Sequence, residues 1–444
     1  MVGSGRKVLV GAIDVLLFLG SFLIAFLLKF GLRIPTENLE DFLTMVPWFI
    51  ATFVVLSWVY RFYSEYSDFD EVLASLVCIV GLSLAVNMGL SFLLRQFAVP
   101  RTVFAMASVF QLLLLGVWRT LVWRKALLAG APKKAVIVGA EGEIERLRHA
   151  VADQLGRVFF VADSVSLTGE GDSHALWDRL AETSSSLREV AAVIVGAGLD
   201  SGTREAIVEY CVQTRKSVLI QPRVQDIMLQ RAGLVNAGDV PLLLLQGISG
   251  PGYLSWGKRV FDIVVAAAGL VLLCPVLALV SLLVRVDSPG PVFYSQERLG
   301  KDGRIFRVHK FRTMRADAEK DTGPVLASEG DPRVTRVGRF LRRSRIDELP
   351  QLWNVLVGDM SLVGPRPERP HFVNEYCRTL PEFAYRHRVP CGLTGLAQVE
   401  GRYSTAPEDK LRYDLLYIQR QSAVLDVVVL LRTLRVLLLK GKSS

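Results

Sequence analysis

Four long apolar runs open the chain, at 8–28, 46–60, 72–94 and 102–122, with short polar stretches between them. About 20 consecutive apolar residues cross the hydrocarbon core of a bilayer, so each run predicts a transmembrane helix, the second being the shortest. Trp48, Trp58 and Tyr60 suit interfacial anchoring of that second helix. Beyond residue 130 the pattern changes. Short β-branched runs at 135–142, 158–163, 190–196 and 217–221 alternate with helical periodicity, which predicts a small parallel, Rossmann-like sheet over 131–247. A second kind of apolar run follows at 256–285, interrupted by Asp262 and by Cys274-Pro275. Pro275 removes a helical hydrogen bond and bends the segment. Lys258 and Arg259 at one end and Arg285 at the other argue that both ends stay on one face. The pattern therefore predicts a re-entrant helical hairpin at about 258–285, with its broken backbone satisfied inside the protein, in preference to a fifth span. The rest of 250–444 is polar and reads as an α-rich domain. It closes on an apolar stretch, 423–440, whose Arg432, Arg435 and Lys440 suit a helix lying in the headgroup plane.

Charge adds orientation and partners. Arg6 and Lys7 precede the first run, and Arg124, Lys125, Lys133 and Lys134 follow the fourth. Glu37, Glu40 and Asp41 lie in the first loop, 29–44. An even number of spans with basic outer ends puts both ends in the cytoplasm, although Arg95 and Arg101 run the other way. The N-terminal run is too long, and too poor in small residues at its end, for a cleavable signal. Across 444 residues the formal net charge is +9 and 51% of residues are apolar. A mean hydropathy of +0.35 suits a membrane protein. Such a basic protein meets anionic lipid and phosphorylated substrates, and no nucleic-acid signature accompanies the charge. The five cysteines are widely spaced, without a CxxC pair, and read as free thiols.

The densest chemistry surrounds Ser344-Arg345-Ile346-Asp347-Glu348-Leu349-Pro350-Gln351. Two adjacent carboxylates stand between a basic run (Arg339, Arg342, Arg343, Arg345) and an apolar helical segment. Pro350 fits the first turn of that helix. Two readings are open. The carboxylates could be ordinary caps paired with neighbouring arginines. Alternatively, a carboxylate beside guanidinium groups that grip phosphate oxygens suits phosphoryl transfer, each charge-assisted bond contributing ~1.5–3 kcal/mol. Elsewhere, Gly139 and Gly142 fall short of the three-glycine dinucleotide fingerprint, although Asp163 could hold a ribose. A structural or regulatory role is expected for that region. His309, His371 and His387 do not cluster at metal-ligand spacing and read as structural.

Further motifs lie around the acidic pair in a fixed order. Asp287-Ser-Pro-Gly-Pro and Phe306-Arg-Val-His-Lys310-Phe-Arg312 precede it. Gly364-Pro-Arg366-Pro-Glu368 and Gly392-Leu-Thr-Gly-Leu-Ala-Gln398-Val-Glu-Gly-Arg402 follow it. In these motifs residues 256–444 resemble the monotopic phosphoglycosyl transferases, or bacterial sugar transferases. With four helices and a Rossmann-like insert ahead, the chain resembles the large polyprenyl-phosphate hexose-1-phosphate transferases that start capsule, exopolysaccharide and O-antigen repeat units. The resemblance implies that Asp347 attacks a UDP-hexose, releases UMP and hands sugar phosphate to polyprenyl phosphate. Glu348 would be its partner, activating the lipid phosphate or sharing metal. It further implies Mg²⁺ at Asp347, phosphate contacts from Arg342 and Arg366, and further contacts from Lys310 and Arg312. Gln398 and Arg402 would shape the nucleotide or sugar pocket. Membrane lipids, a homodimer and the cytoplasmic face of a bacterial inner membrane belong to the same expectation. Two departures stand out: Cys274 where small members often carry Ser before the helix-breaking Pro, and Pro390-Cys391-Gly392 in place of Pro-Gly. The competing readings are a non-catalytic membrane scaffold for polysaccharide assembly and a nucleotide-sugar oxidoreductase centred on 131–247.

Overall fold

The structure is a computed structural model that describes residues 4–64, 68–94, 99–128, 132–167, 190–237, 240–245, 255–315, 331–401 and 405–439. The chain divides into two compact units at Gln221/Pro222. Ile227, which lies ahead of the boundary near 247–250 expected from the sequence, is buried in the core of the second unit.

The first unit begins with four helices: α1 (Ser4–Phe30), α2 (Thr36–Val59), α3 (Phe69–Leu93) and α4 (Arg101–Leu128). Each is long and apolar enough to cross a membrane. The second helix starts ten residues before the apolar run. Glu37, Glu40 and Asp41 are helical, not loop, and Pro47 lies inside the helix. Phenylalanines fill the bundle interior, with the Phe22 and Phe49 rings stacked at 4.8 Å and the Phe18 and Phe53 rings tilted against each other at 4.7 Å. Asp14, the lone charge in the first apolar run, is buried against Arg119 of α4 at 2.5 Å. A charge held at that depth needs such a partner.

A four-stranded parallel sheet follows, ordered β2-β1-β3-β4. Its strands are β1 (Lys133–Gly139), β2 (Phe159–Ser166), β3 (Ala192–Val195) and β4 (Ser217–Ile220). The helices α5 (Glu141–Leu155) and α6 (Ser201–Gln213) accompany it. Continuous apolar strands such as Ala135–Val138 are fully buried, as a sheet covered on both faces requires.

The second unit starts with α7 (Val224–Leu229) and an antiparallel hairpin, β5 (Gly233–Ala237) and β6 (Val240–Leu244). Then comes α8 (Ser255–Asp287), 33 residues with Pro275 inside. A second hairpin, β7 (Phe293–Leu299) and β8 (Ile305–Phe311), leads to α9 (Arg336–Ser344). A 3₁₀ turn (Ile346–Glu348) and α10 (Gln351–Val357) come next. The remainder is β9 (Ser361–Val363), α11 (Pro370–Thr379), a 3₁₀ segment (Pro381–Arg388), β10 (Gly392–Thr394), α12 (Leu396–Glu400), α13 (Pro407–Arg420) and α14 (Ala423–Leu438). Strands β9 and β10 pair in parallel. Val308, Leu352, Val355, Leu362, Tyr417 and Val429 meet in one core.

Both ends of α8 are tied to this unit. At its start, Lys258 donates to Asp426 at 2.6 Å, and Arg259 donates to the carbonyls of Val355 and Leu356 at 2.5 and 2.7 Å. At its end, Val280 and Val284 pack against Phe311 and Leu341. The Asp287 carboxylate accepts from the Val337 N–H at 3.2 Å. Between those ends Val271 and Leu272 are largely exposed.

Candidate active site

Three elements converge on the acidic pair. Helix α9 stops at Arg345, whose left-handed backbone (φ 59°, ψ 13°) turns the chain into the 3₁₀ turn carrying Asp347 and Glu348. A non-glycine residue in that region costs about 1 kcal/mol or more, and such strain clusters at functional sites. The second element, β8, delivers Lys310. The third is the loop after β9, which delivers Arg366.

The two carboxylates meet opposite surroundings. Glu348 accepts from Lys310 Nζ at 2.8 Å and from Arg366 Nη2 at 2.6 Å and Nη1 at 3.4 Å. Arg345 stands 3.9 Å away. Asp347 is 8% exposed and has no hydrogen bond or ion pair among the described residues. Burial, then the neighbouring Glu348 charge, pushes its carboxyl up to about 6. Burial also opposes ionisation of Glu348, but Arg366 and Lys310 overcome it and hold that carboxyl well below its ordinary value. Burial pulls Lys310 down against the pull of Glu348, whereas Glu348 pushes Arg366 up. One carboxylate is therefore locked as a counterion, and the other is dehydrated and unengaged. A carboxylate with its lone pairs free, set among cations, can attack a phosphorus centre.

The other expected residues separate. Arg342 reaches the site: its charge lowers the Asp347 carboxyl's affinity for a proton, and its Nε donates to Thr313 Oγ1 at 2.9 Å. Arg312 is turned away. Its guanidinium closes on the carbonyls of Pro289 and Ser288 at 3.0 and 2.7 Å, pinning the loop after α8. Gln398 donates to the Leu393 carbonyl at 3.1 Å, while its Oε1 is buried without a hydrogen-bond partner among the described residues. Arg402 lies outside the described residues, as does Lys440. Pro275 sits within a helix that continues through it. His309 faces Ser295 at 3.0 Å, and burial pushes His387 down to about 4, so that ring is neutral at pH 7.

Supporting residues escaped the sequence reading. The end of β9 and the loop bearing Arg366 are gripped through their carbonyls. Tyr417 donates to Val363 at 2.9 Å, the Gly392 N–H to Pro365 at 2.9 Å, Arg386 to Arg366 at 2.9 Å and Arg298 to Pro367 at 3.2 Å. Asn354, fully buried on α10, accepts from the His309 N–H at 3.0 Å and donates to the Arg307 carbonyl at 2.7 Å. It thereby locks β8, and with it Lys310, to the helix behind the acidic pair. A lone Asn inside an apolar helix was the one signal available for it.

A magnesium ion fits this donor set in one way. Among the described residues no three metal-ligating side chains come together. Glu348 is occupied by cations, which leaves Asp347 as a single carboxylate ligand. Magnesium is commonly held by one or two carboxylates, with phosphate oxygens and water completing the shell.

The family described as bacterial sugar transferase matches residues 253–440. Named relatives agree. A UDP-N-acetylgalactosamine-undecaprenyl-phosphate N-acetylgalactosaminephosphotransferase of Aeromonas hydrophila is 45% identical over 184 residues, 41% of this chain and 43% of that protein. A UDP-glucose:undecaprenyl-phosphate glucose-1-phosphate transferase of Caulobacter vibrioides is 46% identical over 188 residues, 41% of this chain and 69% of that protein. An exopolysaccharide production protein of Rhizobium leguminosarum is 42% identical over 197 residues, 42% of this chain and 97% of that protein. The chain spans about half the length of the first curated relatives it matches.

Proposed function

The chain belongs to the bacterial sugar transferase family, and from that premise we propose that it moves a hexose-1-phosphate from a UDP-sugar to undecaprenyl phosphate. The observation that carries this reading is the asymmetry of the pair: Glu348 clamped by Lys310 and Arg366, Asp347 unengaged beside it. In the first step an Asp347 carboxylate oxygen bonds to the β-phosphorus. The bond from that phosphorus to the bridging oxygen breaks, and UMP leaves with the electron pair. In the second step a phosphate oxygen of the lipid attacks the same phosphorus. The aspartyl bond breaks, the carboxylate is restored and a lipid diphosphate-sugar is released. Neither step requires a net proton transfer to the enzyme. Arg342, Arg345, Lys310 and Arg366 outnumber the two carboxylates, which leaves net positive charge for the diphosphate. Magnesium, when held at Asp347, would offset further diphosphate charge.

The same proposal extends to the membrane. Helix α8 would enter and leave by one leaflet, as its two tethered ends favour, and would hold Asp347 at headgroup height on the cytoplasmic face of the inner membrane. The sheet of 133–220 would be a Rossmann-like structural or regulatory domain. The chain would act as a homodimer in starting capsule, exopolysaccharide or O-antigen units; the exposed Leu234, Leu242 and Leu243 of the β5–β6 hairpin offer apolar area for a partner.

The test is UMP release from a panel of UDP-sugars in membranes with Mg²⁺. Asp347→Asn should abolish it while expression holds. Unchanged release would favour the scaffold reading. The panel also names the sugar, glucose and N-acetylgalactosamine being the two that relatives' names carry.

A further inference from the structure

A basic cleft opens on the sheet of the first unit, on the edge where its strands begin. The pairings Lys133↔Phe159, Ala135↔Ala192 and Ala192↔Ser217 bring all four strand starts to that edge. Two observations set the edge beside the membrane helices. Strand β1 begins at Lys133, five residues after α4 ends at Leu128. Arg157, two residues ahead of β2, pairs with Asp68 at the start of α3 at 2.5 Å, and its guanidinium lies 4.8 Å from the Trp123 ring of α4.

The cleft is open, about 720 Å³, and its lining includes Lys133, Tyr210, Arg215, Lys216 and Ser217. No carboxylate lines it among the described residues. Lys216 is partly spent on the Val190 carbonyl at 2.8 Å. The Lys133 ammonium and the Arg215 guanidinium have no hydrogen bond or ion pair among the described residues, and both residues are exposed. Arg215 also holds a left-handed backbone, φ 55°, directly after the α6 C-cap Thr214. Glycine is the usual residue at such a position, so a guanidinium there stands against local backbone preference. Unpaired cations, a concave wall and nearness to the helix ends together suit one kind of ligand.

We propose that this cleft binds the phosphate of an anionic membrane lipid through Lys133 and Arg215, and so fastens the sheet domain to the headgroup layer. Attraction to an anionic surface falls off within a Debye length, and Lys133 follows the end of α4 by only five residues. The proposal is independent of the transferase chemistry.

The experiment uses the full chain in detergent, with native mass spectrometry of retained phosphatidylglycerol against phosphatidylcholine. Lys133→Ala combined with Arg215→Gly should lower phosphatidylglycerol retention by roughly fivefold or more and leave phosphatidylcholine unchanged. Because glycine accepts the φ of residue 215, the melting temperature should match or exceed that of the wild type. Equal phosphatidylglycerol retention in the double variant would overturn the proposal. Inorganic phosphate, offered alone, separates the two sources of the anion. Binding that the double variant abolishes, with no preference among lipids, would assign the cleft to a free phosphate and overturn the lipid.

Discussion

Asp347 and Glu348 are neighbours in sequence with opposite fates, and the difference lies in what reaches them. Glu348 meets two hydrogen-bonded cations, Lys310 and Arg366; Asp347 meets none. Replacing Glu348 with Gln strands those cations, so we expect a loss of about 2 kcal/mol or more in stability, read by thermal unfolding. Asp347→Asn should act in the reverse sense. Its carboxyl is pushed up to about 6, so the folded state holds that proton more tightly than the unfolded chain. Its stabilising contribution is full below the unfolded value near 4 and is lost as pH rises through about 6. At pH 7.5 without magnesium, the Asn variant should therefore melt at or above the wild-type temperature, by ~1–3 kcal/mol of stability, while UMP release falls by about 10³-fold or more. A variant that is both inactive and less stable would contradict the dehydrated, unengaged carboxylate. The rate has a pH limb of its own. The nucleophile must be ionised, so initial rates should drop about tenfold per unit below pH 6.

Helix α9 must lie tight on the backbone that follows β8, and Gly338 is what allows it. A Cβ built there would stand 2.0 Å from the Thr313 carbonyl oxygen. Gly338→Ala should force the helix away, carry the 3₁₀ turn with it and reduce UMP release more than about tenfold, with a stability loss of roughly 2–4 kcal/mol. A variant with unchanged activity would mean that α9 does not set the position of Asp347. Elements such as these were only partly legible. The long apolar runs declared α1 to α4, and β-branched runs marked the sheet strands to within a few residues. Helix α2 hid its first ten residues because Glu37, Glu40 and Asp41 read as a loop. The hairpin at 233–244 was missed because Pro241-Leu242-Leu243-Leu244 shows no alternation. The acidic pair was visible because it is contiguous. Its supports were not: Arg386 and Tyr417 act on carbonyls of residues 366 and 363, a relation that no local pattern encodes.

The chain joins a membrane bundle, a parallel sheet and an α-rich unit, and each constrains the account. At the switch between β1 and β3, where such sheets bind ligands, Glu143 fills the crevice. Its carboxylate accepts from the Ala197 and Gly198 N–H groups at 2.9 and 3.0 Å. Asp163 sits mid-strand with its Oδ1 on the Ser164 N–H at 2.7 Å. The intact chain should therefore give no NAD(H) signal in equilibrium dialysis, and saturable binding would revive the oxidoreductase reading. Topology has an equally direct check. A reporter fused after residue 444 should read cytoplasmic, because both ends of α8 are fastened to one unit; a periplasmic reading would require α8 to span. All of this converges on the acidic pair meeting a sugar nucleotide. The most direct measurement is to mix the enzyme with UDP-sugar labelled in the β-phosphate, quench without lipid acceptor and map the label by mass spectrometry. A sugar phosphate on Asp347 is the expected result. Label on another residue, or none on the protein while UMP is released, would contradict it.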